Sequence, residues 1–507
     1  MTMARTWSVA LVGVEGHLVE VQADLAGGLP TLTVTGMPDV AVTQARDRVR
    51  AAVVNTGQSW PQKRVTIGLY PATLPKVGSG FDLAIAAAVL AADGVVGVER
   101  LQGLVLLGEL GLDGRVRPVP GVLPAVLAAC RAESPRVVVP AVCAREARLV
   151  PGAEVVGVAS LRGLLALLRG EPCDEERPAG GTAAAPEFPL GPQPDLAQVA
   201  GQGEARRALE IAAAGGHHLY LLGEPGCGKT MLAERLPGLL PDLDPVTALE
   251  VTAVHSVAGV LRAGGPLVVR PPWRSPHHTA TKAALVGGGS GVLRPGAASC
   301  AHRGVLFLDE APEFSGGVLD ALRESLESGV TQVARAHASA TFPARFQLVL
   351  AANPCPCGAL ADVLCTCTPP VRRRYLAKLS GPLLDRVDLR LRLTRVTRAD
   401  LLAPRGQAES SAVVAARVAA ARDRAAHRWR GTPWRTNGEV PGPELTARCP
   451  LPERVLAQAY AGIRSAFLTA RGVDAIARVA RTIADLDGRE HPDESDVAEA
   501  MALRSAR

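Results

Sequence analysis

The chain has 507 residues, 48% of them apolar and 21% charged, with a formal net charge of +6. That length exceeds one ordinary core and predicts roughly two to four domains, and the composition excludes an intrinsically disordered chain. No apolar run approaches the ~20 residues that cross a membrane, so no membrane partner is expected.

The opening, MTMARTWSVALVGVEGHLVEV, is broken by glycine, glutamate and histidine and makes a poor signal peptide, which predicts a cytoplasmic protein. In that setting the 10 cysteines point to thiols or a metal site rather than a disulfide framework. The positive balance is modest. It permits a nucleic-acid partner without demanding one.

Within residues 1–170, VALVGVEGHLVEVQADL and TLTVTGM alternate as strands do, whereas ARDRVRAAVVNTG and FDLAIAAAVLAADG read as helices. The first domain is therefore expected to mix α and β. Residues 171–195, EPCDEERPAGGTAAAPEFPLGPQPD, have little to bury and read as a linker. Residues 196–395 carry short apolar strands at LYLL, VLFLDE and QLVLAAN between helical or inserted segments. That alternation predicts a parallel α/β sheet with its site at the strand C-termini. Residues 396–507 are rich in Ala, Arg and Leu and read as a small helical domain.

The most specific motif lies in the 196–395 segment. Gly223, Glu224, Pro225, Gly226, Cys227, Gly228, Lys229 and Thr230 fit G-x-x-x-x-G-K-[ST], between an apolar strand from Leu219 and a helical stretch from Met231. Such a loop turns amide N–H groups inward around a polyphosphate, and a helix N-terminus adds partial positive charge. Lys229 would reach the β- and γ-phosphates and Thr230 would ligate Mg²⁺, so ATP and Mg²⁺ are the expected cofactors. A chance glycine-rich turn is the competing reading, and the flanking strand and helix argue against it. VLFLDE then runs four apolar residues into Asp309, placed to hold the Mg²⁺ shell, and Glu310, placed to polarise water. Apolar runs that end in acids also occur as plain surface strands; the phosphate loop upstream favours the catalytic reading. Cys355, Cys357, Cys365 and Cys367 form C-x-C-x₇-C-x-C with Pro and Gly between. Four thiolates in a turn-rich loop suit structural Zn²⁺, and free thiols or a redox pair fit the same spacing.

The phrases GEPGCGKT, VLFLDEAPEF, AANPCPCG and SGPLLDRVDL, with GQGEARRALEIAAAGGHH, RSPHHTATKAALVGGG and RVARTIADL, resemble the magnesium-chelatase-like AAA+ ATPases of the ComM/YifB family. The resemblance covers essentially the whole chain. It implies an α/β multidomain protein with a central AAA+ phosphate-loop sheet and a C-terminal helical lid. It also implies that Asn353 is sensor 1, orienting the attacking water, and that Arg386 is an arginine finger reaching a neighbouring subunit. Arg471 would be sensor 2 on the lid; a surface arginine is the alternative there, with Arg478 and Arg481 close by. Gln202 would lie near the adenine. A finger acting in trans implies a homo-hexameric ring, and the family resemblance implies single-stranded or branched DNA as its cargo, with branch migration or helicase activity. The stretch VLRAGGPLVVRPPWRSPHHTATKAALVGGGSG looks like the helix-2 insertion of the chelatase branch, and ESLESGVTQVARAHASATFPARF like its pre-sensor-1 hairpin. Arg335 and His337 near the hairpin tip, with Arg274, His277, His278 and Lys282 in the insertion, are the candidate DNA contacts, solvated loop residues being the plain alternative. His277 and His278 as metal ligands lack a third partner.

In the first domain, LPKVGSGFDLAIAAAVL and LGELGLDGRVRPVPGVLPAVLAA resemble the Lon-protease-like domain, a ribosomal-S5-type α+β fold. Matching the peptidase pattern puts Gly80 at the nucleophile position, with Ser79 one place early, and Leu123 where the lysine base belongs. Lys76 belongs to the preceding PK dipeptide. The dyad is missing, so an inactive scaffold is expected. A magnesium-chelatase motor subunit and a protein-remodelling ATPase are the competing functions.

Overall fold

The computed structural model describes residues 3–171, 194–261, 265–289, 293–335, 338–359, 365–402, 408–464 and 468–505. Most of the expected linker, residues 172–193, thus lies outside the described residues.

The first unit is built on the hairpin β1 (Met3–Val12) and β2 (Glu15–Ala26), joined by β3 (Thr31–Thr35), β4 (Arg64–Tyr70), β5 (Leu104–Leu106), β8 (Arg136–Pro140) and β9 (Glu154–Val158). Two short strands, β6 (Glu109–Leu110) and β7 (Val116–Arg117), pair separately. The sheet order is β3-β4-β2-β1-β5-β8-β9. Pairs β1–β2 and β2–β4 are antiparallel and the rest parallel, so the sheet is mixed. Every residue of the helix Asp82–Ala92 is buried, as a helix that is apolar all round must be. Asp82 is its one charge, and Arg48 from the helix Val40–Asn55 answers it at 2.8 Å.

The second unit is a five-stranded parallel sheet: β10 (Leu219–Gly223), β11 (Trp273–Arg274), β12 (Val305–Leu308), β15 (Gln347–Ala352) and β16 (Leu389–Leu393). The order is β11-β12-β15-β10-β16. Because β10 lies between β15 and β16, the last two strands along the chain, the order reverses there and a crevice opens at its C-terminal end. Strands β10, β12 and β15 are buried at every position, as near-continuous apolar strands covered on both faces should be. Leu219 and Leu221 point into one core layer, Tyr220 and Leu222 into the other. A hairpin, β13 (Val330–Arg335) and β14 (Ala338–Pro343), stands between β12 and β15 in the chain, as the sequence predicts.

The insertion differs from expectation. Trp273 and Arg274 pair with Val305 and Leu306, so the middle of that stretch is the edge strand of the main sheet. Trp273 stacks on Phe307 with ring centroids 5.2 Å apart, and that burial holds the strand in place.

The C-terminal helices Ser411–Arg428, Gly442–Arg448, Glu453–Arg464, Ala470–Leu486 and Glu494–Ser505 share one core layer with β10 and β16. A buried polar network completes the join. His217, fully buried just before β10, contacts Asp388 at 3.1 Å and Thr482 at 2.8 Å, and Arg478 reaches Asp388 at 3.1 Å. The first unit docks on the helix Pro245–Ala258: Gly121 N donates to the Ser256 carbonyl (3.2 Å), and Ser256 Oγ to Glu146.

Candidate functional site

The crevice at the C-terminal end of β10 is formed by the loop Gly223–Gly228. Gly226 and Gly228 adopt φ of +78° and +94°, the left-handed region where a side chain is strained, which lets the loop curl over its own amides. The helix that follows is shorter than the sequence suggests. It runs only Lys229–Ala233, because Pro237 has no N–H and would clash with the carbonyl of residue 233. So short a helix supplies little macrodipole, which leaves loop amides and Lys229 as the main donors at the loop.

Lys229 is buried, and its ammonium donates to the Gly223 carbonyl (2.7 Å), the Glu224 carbonyl (3.0 Å) and Asn353 Oδ1 (2.9 Å). Asn353 stands one residue beyond β15, beside β10, so the sheet register brings the two together. Thr230 Oγ1 donates to Asp309 Oδ2 at 2.7 Å. A hydroxyl and a carboxylate in contact beside a phosphate cradle form an oxygen-only donor set, which suits the hard cation Mg²⁺. Glu310 follows at φ +49°, exposed at the strand end. Gln202 Nε2 donates to the Cys227 and Thr394 carbonyls (3.3 and 2.6 Å), bridging the loop to the end of β16.

Two contacts here carry no motif. Arg395 Nε pairs with Glu224 Oε2 at 2.8 Å, tying the loop to the chain beyond β16. His278 Nδ1 lies 3.2 Å from Glu310 Oε2, so the inserted segment touches the carboxylate expected to polarise water. The HH dipeptide was visible in sequence, but its alignment with the end of β12 depends on the edge strand β11.

Arg386 is elsewhere. It lies three residues before β16, whose Leu389 pairs with Leu219 and whose Leu393 pairs with Gly223. Four residues of strand, about 13 Å, therefore separate the Arg386 end of the sheet from the phosphate loop. Its guanidinium pairs with Glu327 and donates to the Pro382 carbonyl. Arg471 also approaches Glu327, at 3.8 Å, so it stands at the Arg386 edge and does not lie over the chain's own phosphate loop. Of the two readings of Arg471, lid sensor or surface arginine, the placement fixes only that its side chain is exposed beside Glu327. The two neighbouring arginines are structural: Arg478 is held by Asp388, and Arg481 is buried against the Cys449 and Glu490 carbonyls.

Among the DNA candidates, Arg274 is bonded within the chain. It belongs to the sheet edge, half-buried, and donates to the Cys300 carbonyl at 3.4 Å. Lys282 is exposed at the start of the helix Lys282–Val286. His277 is exposed and bonds Thr279 Oγ1 at 2.9 Å. The Arg335 side chain and all of His337 lie outside the described residues.

The four cysteines gather, their sulfurs all within 4.8 Å of one another, and among the described residues no other group of three or more His, Cys, Asp or Glu is placed to hold a metal. Separations of 3.2, 3.4 and 3.5 Å among Cys355, Cys357 and Cys365 are close to the ~3.8 Å edge of a tetrahedral Zn–thiolate site. The thiols differ sharply: burial pushes Cys355 up to about 12, while hydrogen bonds from Cys355 and the Ala359 backbone pull Cys357 down to about 6. The loop abuts the phosphate loop, since a Cβ on Gly358 would touch Pro225 at 3.7 Å.

In the first unit, the Lys76 ammonium donates to the Pro71 carbonyl and Ser79 Oγ to Glu109, while Leu123 is fully buried among apolar residues. No serine–lysine pair is assembled from these residues.

Comparison with known proteins covers nearly the whole chain. Family models match in three segments: "Magnesium chelatase, subunit ChlI" over residues 195–401, "Subunit ChlI of Mg-chelatase" over 21–142, and "Magnesium chelatase, subunit ChlI C-terminal" over 408–504. An uncharacterized protein of Mycobacterium tuberculosis is 53% identical over 504 residues, 99% of each chain. YifB of Escherichia coli is 40% identical over 505 residues, covering 100% of this chain and 97% of the relative. The competence protein ComM of Haemophilus influenzae is 38% identical over 509 residues, covering 100% and 98%.

Proposed function

We propose, because this chain belongs to the magnesium-chelatase ChlI-like family together with its full-length relatives YifB and ComM, that it is a Mg²⁺-dependent ATPase acting as a homo-hexameric ring on single-stranded or branched DNA, in branch migration or unwinding. Members of that family are ATPases. The observation that carries the ATPase reading is the convergence of Lys229, Thr230, Asp309 and Asn353 at the end of β10. Lys229 would neutralise the β- and γ-phosphates, Thr230 and Asp309 would hold Mg²⁺, and Asn353 and Glu310 would position and polarise the attacking water. Arg386 at the opposite end of the strands is out of reach of its own γ-phosphate, which supports action on a neighbour's and hence a ring.

DNA as the cargo rests on the β13–β14 hairpin, on the exposed Lys282 beside the site, and on the name competence protein carried by the Haemophilus relative. ATPase rates with single-stranded and forked DNA, titrated with salt, test it. Stimulation that falls steeply with salt is expected. A flat response refutes the DNA motor and leaves metal insertion into a porphyrin, or protein remodelling, in its place.

The four-cysteine loop is the second part of the reading: Zn²⁺ held by Cys355, Cys357, Cys365 and Cys367 would fix a loop with little core of its own and brace Pro225. The first unit, with no assembled dyad, is read as a Lon-protease-like scaffold that docks on the ATPase.

A further inference from the structure

The Arg386 edge of the sheet holds more than a finger. Glu327 sits next to last in the helix Gly316–Ser328, which returns to the end of the sheet where His218, Gly304 and Phe346 precede or begin their strands. Arg386 and Arg471 both pair with this single carboxylate. Arg323, one turn earlier on the same helix and paired with Asp320 at 3.7 Å, is close enough that it and Arg471, after burial, pull the Arg386 guanidinium below its usual value. Three guanidiniums therefore face two carboxylates. Arg386 Nε is buried with no acceptor among the described residues, so the guanidinium has a donor to spare. The carboxylate is also poorly placed on its own account. It is 54% exposed, where water weakens the pairs, and it stands at a helix C-terminus, where the macrodipole disfavours negative charge.

We propose that Glu327 is a built-in stand-in for phosphate: it holds Arg386 and Arg471, with Arg323 beside them, in an anion-binding cluster until a neighbouring subunit's nucleoside triphosphate displaces it. A terminal phosphate brings more charge and three acceptor oxygens to the guanidiniums, so it wins the exchange. The displaced carboxylate returns to water. This assignment rests on the ring reading above and adds a competitor to it: every triphosphate bound in trans must first dislodge Glu327.

The test uses the full chain and ATP. Glu327→Gln keeps the shape and removes the competing charge. It should lower the ATP concentration for half-maximal hydrolysis about two- to fivefold, the range of an exposed ion pair, with kcat held within about twofold. Glu327→Ala should shift the midpoint in the same direction. A midpoint unchanged or raised overturns the proposal, because a carboxylate with only a structural role would not compete with ATP. Mixing Lys229→Ala with Arg386→Ala chains tests the premise separately, since mixed rings set an intact finger beside an intact phosphate loop. Regained activity supports action in trans. If activity returns while the Glu327 variants leave the midpoint alone, only the stand-in role fails. If it does not return, the ring reading fails and the stand-in role with it.

Discussion

Asp388 joins the C-terminal helices to the ATPase sheet, and the cost of removing its carboxylate can be worked from its contacts. It is 4% exposed and accepts from His217 and from Arg478, both at 3.1 Å. Asp388→Ala removes two charge-assisted hydrogen bonds, each worth about 1.5–3 kcal/mol. It also leaves Arg478, 17% exposed in its side chain, with the Val440 carbonyl at 3.3 Å. Breaking one side of a buried ion pair costs about 3–5 kcal/mol, and that range sits within the sum of the two bonds. Asp388→Asn keeps the volume and one acceptor, so its cost should be about half. The assay is amide hydrogen exchange along the helix Ala470–Leu486, which carries Arg478 and Thr482. Protection there should fall roughly 150- to 5000-fold in the alanine variant, at 1.36 kcal/mol per decade. The pH dependence has a definite sign. Burial pushes the Asp388 carboxyl up, but Arg478 and the His217 hydrogen bond outweigh it and hold it well below the usual carboxylate range. Its contribution is therefore complete above the unfolded value, about pH 4, and is lost as pH falls through the lower native value. A loss of protection under about tenfold in Asp388→Ala would refute the argument, since the network would then add little to the join.

Lys229→Ala should abolish ATP hydrolysis and weaken ATP binding, because the ammonium is buried at the loop mouth against the Gly223 and Glu224 carbonyls; binding at wild-type affinity would contradict its role. His278→Ala should raise DNA-free ATPase about two- to fivefold, since Nδ1 no longer competes for Glu310 Oε2; a fall would instead make His278 a residue that positions Glu310. Protein purified without chelator should carry about one Zn²⁺ per chain, and Cys365→Ser should lose it and raise the ATP midpoint through Pro225. Metal analysis that finds no zinc would remove this idea.

What was legible in the sequence is what is contiguous along it. Gly223 to Thr230 and Val305 to Glu310 each complete their geometry within a few residues, so a local pattern suffices. The mixture of α and β in the first unit followed from period, and the helical C-terminus from period and composition. Two features escaped because they depend on register or on packing between distant segments, and a third, the short helix after the phosphate loop, turns on a proline that the apolar spacing masks. Arg274 reads as a loose cation until β11 is seen to add to the sheet edge, a pairing only two residues long that Trp273 secures by stacking. The helix after the phosphate loop reads as long because Met231, Leu232 and Leu236 have helical spacing, yet Pro237 ends it. Arg471 resembles a sensor by its phrase, and the phrase says nothing of which nucleotide it serves. That is decided by the polar join at His217, Asp388 and Arg478, which fixes the helix Ala470–Leu486 against the strand ends opposite the phosphate loop. The join therefore does more than hold a helical domain in place. By fastening the C-terminal helices to the Arg386 edge it puts Arg471 and Arg386 on one carboxylate, so in the proposed ring any change that loosens Asp388 should also blunt both arginines' response to a neighbouring subunit's nucleotide.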